Sequence, residues 1–177
     1  MSGGMRPVRR TADGADRKAQ RTGHSAPRLT LSVQMGVPAA GLPARSTLRR
    51  WAAAALECDA RVTLRFVGEA EGRQLNREFR RKDYATNVLT FVYDGDVHDA
   101  TRDAPLAGDI VICVPIVRRE AKAAGRSLRA HCAHLVVHGM LHLQGYDHER
   151  DDEAAAMERR ETDLLRRLRY PDPHAVG

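Results

Sequence analysis

His138, His142 and His148 fall within eleven residues, with Gly145 between the second and third. Imidazole is a ligand for first-row metals, and two histidines four apart share one face of a helix, a turn from each other. Their ring nitrogens can then reach one ion at roughly 2.0–2.1 Å. A glycine after the second histidine ends such a helix, because it accepts the left-handed conformation of a C-terminal cap. The chain can turn there and return the third histidine to the same ion. Three protein ligands without a fourth is the pattern of a catalytic zinc, which keeps one position for water; a purely structural zinc is normally closed by four. Five of the eight histidines lie between His131 and His148, so the enrichment is local.

The same spacing marks the metzincin peptidases, but those carry a glutamate where this chain has Gly139. That glutamate is the general base that takes a proton from the metal-bound water. A peptidase therefore loses its chemistry here while the metal site survives. Met157 offers no turn beneath the metal, since it lies in a charged, strongly helical stretch. Gly139 instead suits close packing of the helix on a sheet. No residue is an evident general base, so water must be activated at the metal or by the substrate itself.

The elements that must position these residues follow from periodicity. Leu29 to Met35 and Arg61 to Val67 alternate apolar and polar residues, the mark of half-buried strands. Asn87 to Tyr93 is a short β-rich run, and Asp109 to Val114 is nearly all apolar, as a central strand should be. Asp94 to Ala107 reads as a loop or hairpin excursion. Helices are expected at Pro43 to Glu57 and Glu69 to Phe79, and from Pro115 to about Ala124, where Gly125 stops the third. Ser127 is an N-cap candidate for the metal-binding helix 128–145. A last helix starts near Glu149, acidic at its beginning and basic at its end, which complements the macrodipole. Its Met157, Leu164, Leu165 and Leu168 form one apolar stripe, read as core. The order β-α-β-α-β-β-α-α-α points to an α+β layer with a small mixed four-stranded sheet packed with helices.

At 177 residues the chain suits one domain with one buried core. The formal net charge of +6 is uneven: residues 1–28 carry +5 and the remainder +1. That first segment holds one residue among Leu, Ile, Val and Phe and is expected to be a disordered basic extension. It either adds non-specific affinity for RNA or has no role. Residues 29–170 form the expected domain and 171–177 a C-terminal tail. Cys58, Cys113 and Cys132 are odd in number and lack close pairing, which fits reduced packing residues in a cytoplasmic protein. No window approaches a membrane span of about 18 consecutive apolar residues.

Read with Leu75-Asn76-Arg77-Glu78-Phe79-Arg80-Arg81-Lys82-Asp83-Tyr84-Ala85-Thr86-Asn87-Val88-Leu89-Thr90-Phe91 and Gly108-Asp109-Ile110-Val111-Ile112-Cys113, the histidine motif resembles the bacterial YbeY-type endoribonucleases, the rRNA maturation factor family. The resemblance runs from about Leu29 to Arg169 and leaves the basic extension unmatched. Small departures are Ala85 where proline is common, Thr90 where serine is common, and an inserted Ala107. The resemblance implies a zincin-like fold and one Zn2+ per chain held by His138, His142 and His148. It also implies single-strand-specific RNA cleavage, maturation of the 16S rRNA 3′ end on the small ribosomal subunit, and a part in ribosome quality control.

Arg80 matches the family's functional arginine, and its planar guanidinium suits the scissile phosphate. The plainer alternative is a surface ion pair with Asp83 or Glu78. Arg77, Arg81 and Lys82 either add phosphate contacts or form an ordinary solvated helix end. Asp147 either orients an imidazole or caps the final helix. His134, one turn before His138, either hydrogen-bonds near the site or is a satisfied core histidine. Two other functions stay open: a non-catalytic RNA-binding assembly factor whose zinc staples the fold, and a metal-dependent hydrolase of another substrate. Aromatic residues make up only 5% of the chain, so no base-stacking platform is legible.

Overall fold

The alternating segment at Leu29 forms β1 (Leu29–Met35), which pairs in parallel with β2 (Ala60–Val67), Leu31 opposite Val62 and Val33 opposite Leu64. In this computed structural model, which describes residues 26–93, 105–147 and 150–175, β2 pairs in parallel with β4 (Leu106–Cys113). β3 (Val88–Tyr93) closes the other edge antiparallel to β4, Val88 opposite Ile112. The sheet order is β1-β2-β4-β3, four mixed strands as expected. β4 starts three residues before the expected Asp109, because Leu106 and Ala107 pair with Ala60 and Arg61. The rest of the expected excursion, residues 94–104, lies outside the described residues.

The helices are α1 (Arg45–Ala54), α2 (Glu69–Arg80), α3 (Val114–Ala123), α4 (Leu128–Leu143) and α5 (Asp151–Arg167). Pro115 sits in the first turn of α3, and Gly125 follows its end at φ +61°. Ser127 caps α4 as expected, its Oγ accepting from the Ala130 N–H at 3.1 Å. α4 stops at Leu143, two residues short of the expected 145, because the chain closes it with a turn described below.

Alternation along β2 and β4 divides the apolar side chains between two faces. Val62, Leu64, Phe66, Ile110 and Ile112 join Trp51, Ala133, Val136, Val137, Met140, Met157 and Leu164 in the main core, between the sheet and α1, α4 and α5. Val67, Leu89, Phe91, Val111 and Cys113 meet Leu75, Phe79 and Ile116 on the opposite face, under α2. α2 and α4 therefore lie on opposite sides of the sheet. Cys113 and Cys132 are buried and in no disulfide, and burial pushes the Cys132 thiol up to about 11.

Two glycines set how closely α4 approaches the sheet. A Cβ on Gly139 would meet Ile110 Cγ2 at 2.8 Å and Cδ1 at 2.9 Å. One on Gly108, in the facing strand, would meet Leu143 Cδ2 at 2.5 Å and run into the Phe91 carbonyl. The packing role expected of Gly139 is what the structure shows. Between His131 and Leu143 every α4 residue is buried except His134, His138 and His142.

Both chain ends of the described region are tied down. The Arg28 N–H donates to Asp59 Oδ1 at 2.9 Å, beside the start of β2; residues 1–25 of the expected extension lie outside the described residues. The expected tail folds back instead of trailing off. Arg126 donates to the Pro173 carbonyl at 2.7 Å, and Thr162 Oγ1 to Asp172 Oδ1 at 3.0 Å.

Gly139→Ala is expected to destabilise the protein by about 1–3 kcal/mol in urea unfolding, by overpacking α4 against β4. The cost should shrink in an Ile110→Ala background, since the two positions are in contact and couple.

Candidate metal centre

The accessible face of α4 is a line of imidazoles. His138 and His142 are four apart, their ring centroids 4.5 Å apart and nearly perpendicular. His134 lies one turn earlier, 6.0 Å from His138. Helix geometry alone aligns these side chains, because residues three and four apart share a face. Among the described residues the rest of α4 from His131 to Leu143 is buried, so the histidine side is the one open to an ion.

The turn after His142 is the one the glycine promised. Gly145 has φ +93°, its N–H donates to the His142 carbonyl, and the Tyr146 N–H donates to the Leu141 carbonyl, both at 3.1 Å. This pair of bonds is the Schellman C-cap. Gln144 anchors the turn further: its Nε2 donates to the Ala55 and Met140 carbonyls, and its Oε1 accepts from the Glu57 N–H at 2.6 Å. The chain then leads back through Asp147 toward His148, which lies outside the described residues.

The residue that sequence reasoning missed is Glu161, on α5. It is 1% exposed, and three imidazoles surround its carboxylate. Oε1 lies 2.5 Å from His138 Nδ1, and Oε2 lies 3.3 Å from His134 Nε2 and 2.7 Å from His174 Nε2. Burial alone would raise this carboxyl's pKa; the hydrogen bonds from His134 and His138, and then their charges, overcome that and hold it well below the usual range. A signal was available. Glu161 falls four after Met157 and four before Leu165, so a carboxylate interrupts the apolar stripe of α5.

His134 hydrogen-bonds beside the histidine line through Nε2 to Glu161, and its buried Nδ1 has no partner among the described residues. His131, still earlier on α4, bonds through Nε2 to Glu120 Oε2 at 2.8 Å, and Asn87 Nδ2 donates to the same oxygen at 3.1 Å. These contacts pin the start of β3 to α3 and α4.

The other expected site residues spread more widely. Arg80 is exposed at the end of α2, across the sheet from α4. Its alternative partner Asp83 is taken by Arg73, which makes two bonds of 2.7 and 2.9 Å, with Arg77 at 3.9 Å. Arg81 ends α2 in the left-handed region, and Lys82 and Arg81 are exposed. Buried Asn76 holds this turn, its carbonyl accepting from the Lys82 N–H and its Nδ2 donating to the Tyr84 carbonyl at 2.7 Å. A groove of about 410 Å3 beside it, lined by Glu69, Arg73, Asp83 and Tyr84, contains none of the histidines. α5 begins at Asp151 with Arg150 as its N-cap residue, whose own side chain makes no capping bond.

Two donor sets can be drawn from these side chains. Ligand atoms of His134, His138 and Glu161 lie within 4.8 Å of one another and could hold a metal ion. His138 and His142 form the other pair, using the face of His138 turned away from Glu161. Either set is rich in imidazole, which suits zinc, copper, iron or nickel.

A histidine-lined helix over a mixed sheet, with a carboxylate behind it, defines an α+β protein with side chains that could hold a metal ion. The family model described as "Endoribonuclease YbeY" matches residues 44–169. The endoribonuclease YbeY of Aromatoleum aromaticum is 58% identical over 84% of this chain and 94% of its own. That of Nitrosomonas eutropha is 50% identical over 82% and 99%, and a longer one from Azoarcus sp. 58% over 84% and 61%. The chain belongs to the endoribonuclease YbeY family, and the zincin-like arrangement is consistent with that membership. A solution structure of TM1509 from Thermotoga maritima aligns at 23% identity and a TM-score of 0.48, over 84% of this chain and all of that one.

Gly145→Ala should cost about 1–2 kcal/mol, because only glycine holds the left-handed cap without a Cβ penalty. Urea unfolding checks this; a loss no larger than at an ordinary exposed position would contradict the cap's role.

Proposed function

We propose that this protein is a single-strand-specific, zinc-dependent endoribonuclease, acting in the cytoplasm on 16S rRNA of the small ribosomal subunit precursor, in 3′-end maturation and ribosome quality control. The observation that carries the reading is the family match over residues 44–169 combined with the line of partly accessible histidines His134, His138 and His142 on α4. Residues 29–170 are the catalytic domain. His138, His142 and His148 hold one Zn2+ per chain, with the fourth position for water or substrate. When bound, zinc polarises a phosphoryl oxygen and lowers the pKa of a coordinated water towards about 7.

The chain's own residues supply the rest. Arg80 makes no hydrogen bond or ion pair among the described residues, so its guanidinium fork is available to phosphate oxygens. Arg77, Arg81 and Lys82 add salt-dependent affinity for the backbone around it. Because α2 and α4 lie on opposite faces, RNA that touches both has to run past the rim of the sheet. An extended single strand can follow that path, whereas a stiff duplex cannot bend so sharply.

The test is cleavage of a 16S rRNA precursor by wild type, His142→Ala and Arg80→Ala, with zinc-loaded and chelated samples. His142→Ala and chelation should abolish cutting with the fold intact by circular dichroism. Arg80→Ala should slow it by about 10²–10³-fold, as loss of one transition-state donor does. Equal cutting by all samples would reject the enzyme reading and favour a non-catalytic assembly factor.

A further inference from the structure

We propose that Glu161 is the positioning residue of the metal centre: with His134 and His174 it fixes the ring of His138 so that Nδ1 faces α5 and Nε2 faces the ion. The inference rests on His138 and His142 being metal ligands.

A buried carboxylate is costly unless hydrogen-bonded donors surround it. The donors here are imidazoles, and an ionised carboxylate only accepts. His138 Nδ1, His134 Nε2 and His174 Nε2 must therefore each present an N–H to Glu161. A neutral His138 protonated on Nδ1 carries its lone pair on Nε2, the nitrogen pointed away from α5. That is the carboxylate–histidine–metal arrangement in which the carboxylate selects the tautomer and raises the basicity of the ligand. The buried, partnerless Nδ1 of His134 agrees. An unpaired acceptor there is tolerated better than an orphaned N–H donor would be.

Glu161 Oε1 and His138 Nδ1 stand as hydrogen-bond partners and not as two ligands of one ion. Two atoms bound tetrahedrally to zinc at about 2.0–2.1 Å lie roughly 3.3 Å from each other. Oε1 and Nδ1 are 2.5 Å apart, a hydrogen-bond distance. Nor does the fold need a charge at this position. Met157, Leu164 and Leu165 surround it on α5 and are buried, and an apolar residue in such a stripe is often neutral or stabilising. The tail adds its own contribution, since Asp172 accepts from the His174 N–H at 2.9 Å and sets that ring against Oε2.

The experiment measures zinc affinity by chelator competition on the full chain, alongside melting of the metal-free protein. Glu161→Gln keeps the shape but turns an amide N–H toward an imidazole N–H. It should weaken zinc binding by about 10–100-fold, as loss of such a carboxylate typically does, without lowering the metal-free melting temperature. His174→Ala should give a smaller loss in the same direction. Binding by Glu161→Gln equal to wild type would overturn the proposal. Binding abolished by both Glu161→Gln and His134→Ala, as completely as by His142→Ala, would overturn it too, by making Glu161 and His134 ligands. Wild type and His142→Ala binding alike would instead reject the ligand assignment on which it rests. Should Glu161→Gln fail to fold, nitrogen NMR of the metal-free wild type decides: His138 protonated on Nδ1 supports the proposal, and on Nε2 overturns it.

Discussion

The structure depends on how closely α4 lies against β4. Gly139 on the helix and Gly108 on the strand remove the two Cβ atoms that would hold these elements apart. With that approach, Leu135, Val136, Met140 and Leu141 reach the main core and the helix is buried on nearly every side. A helix packed all round would ordinarily be apolar all round. Here the one remaining strip carries His134, His138 and His142, so the packing itself decides which side chains meet solvent, metal and substrate.

Burying α4 so completely creates an electrostatic problem that α5 shares. Glu161 is placed where the two helices meet, and among the described residues its ion-pair partners are imidazoles from α4 and the tail. Its charge and their N–H groups satisfy each other, which fixes ring orientations at low reorganisation cost. The other acidic group near the histidine line, Glu120, does the same for His131 and ties in Asn87. Two polar clusters thus lie along α4, Asn87–Glu120–His131 and His134–Glu161–His138, with the His131 and His134 rings 6.2 Å apart between them.

Much of this was legible in the residues. Alternation marked the first two strands and short β-rich or apolar runs the other two, and Ser127 and Gly145 marked the ends of α4 because capping chemistry is local. Gly139 could be read as a packing glycine. The long-range features were not legible. Pairing of Leu106 with Ala60 extends β4 for reasons of register that no window of sequence contains. The return of the tail to place His174 against Glu161 depends on contacts with Arg126 and Thr162 far along the chain. Glu161 itself was visible only as an acid on an apolar stripe, and its meaning needed the facing helix. Arg80 was identified by its motif, while its position across the sheet from α4 came only from the topology.

A crystal structure of the zinc-loaded full chain tests the account most directly. The predicted result is one ion at about 2.0–2.1 Å from Nε2 of His138 and His142, with His148 as the third nitrogen and Glu161 still bonded to His138 Nδ1. An ion coordinated by a Glu161 oxygen together with His134 would contradict it.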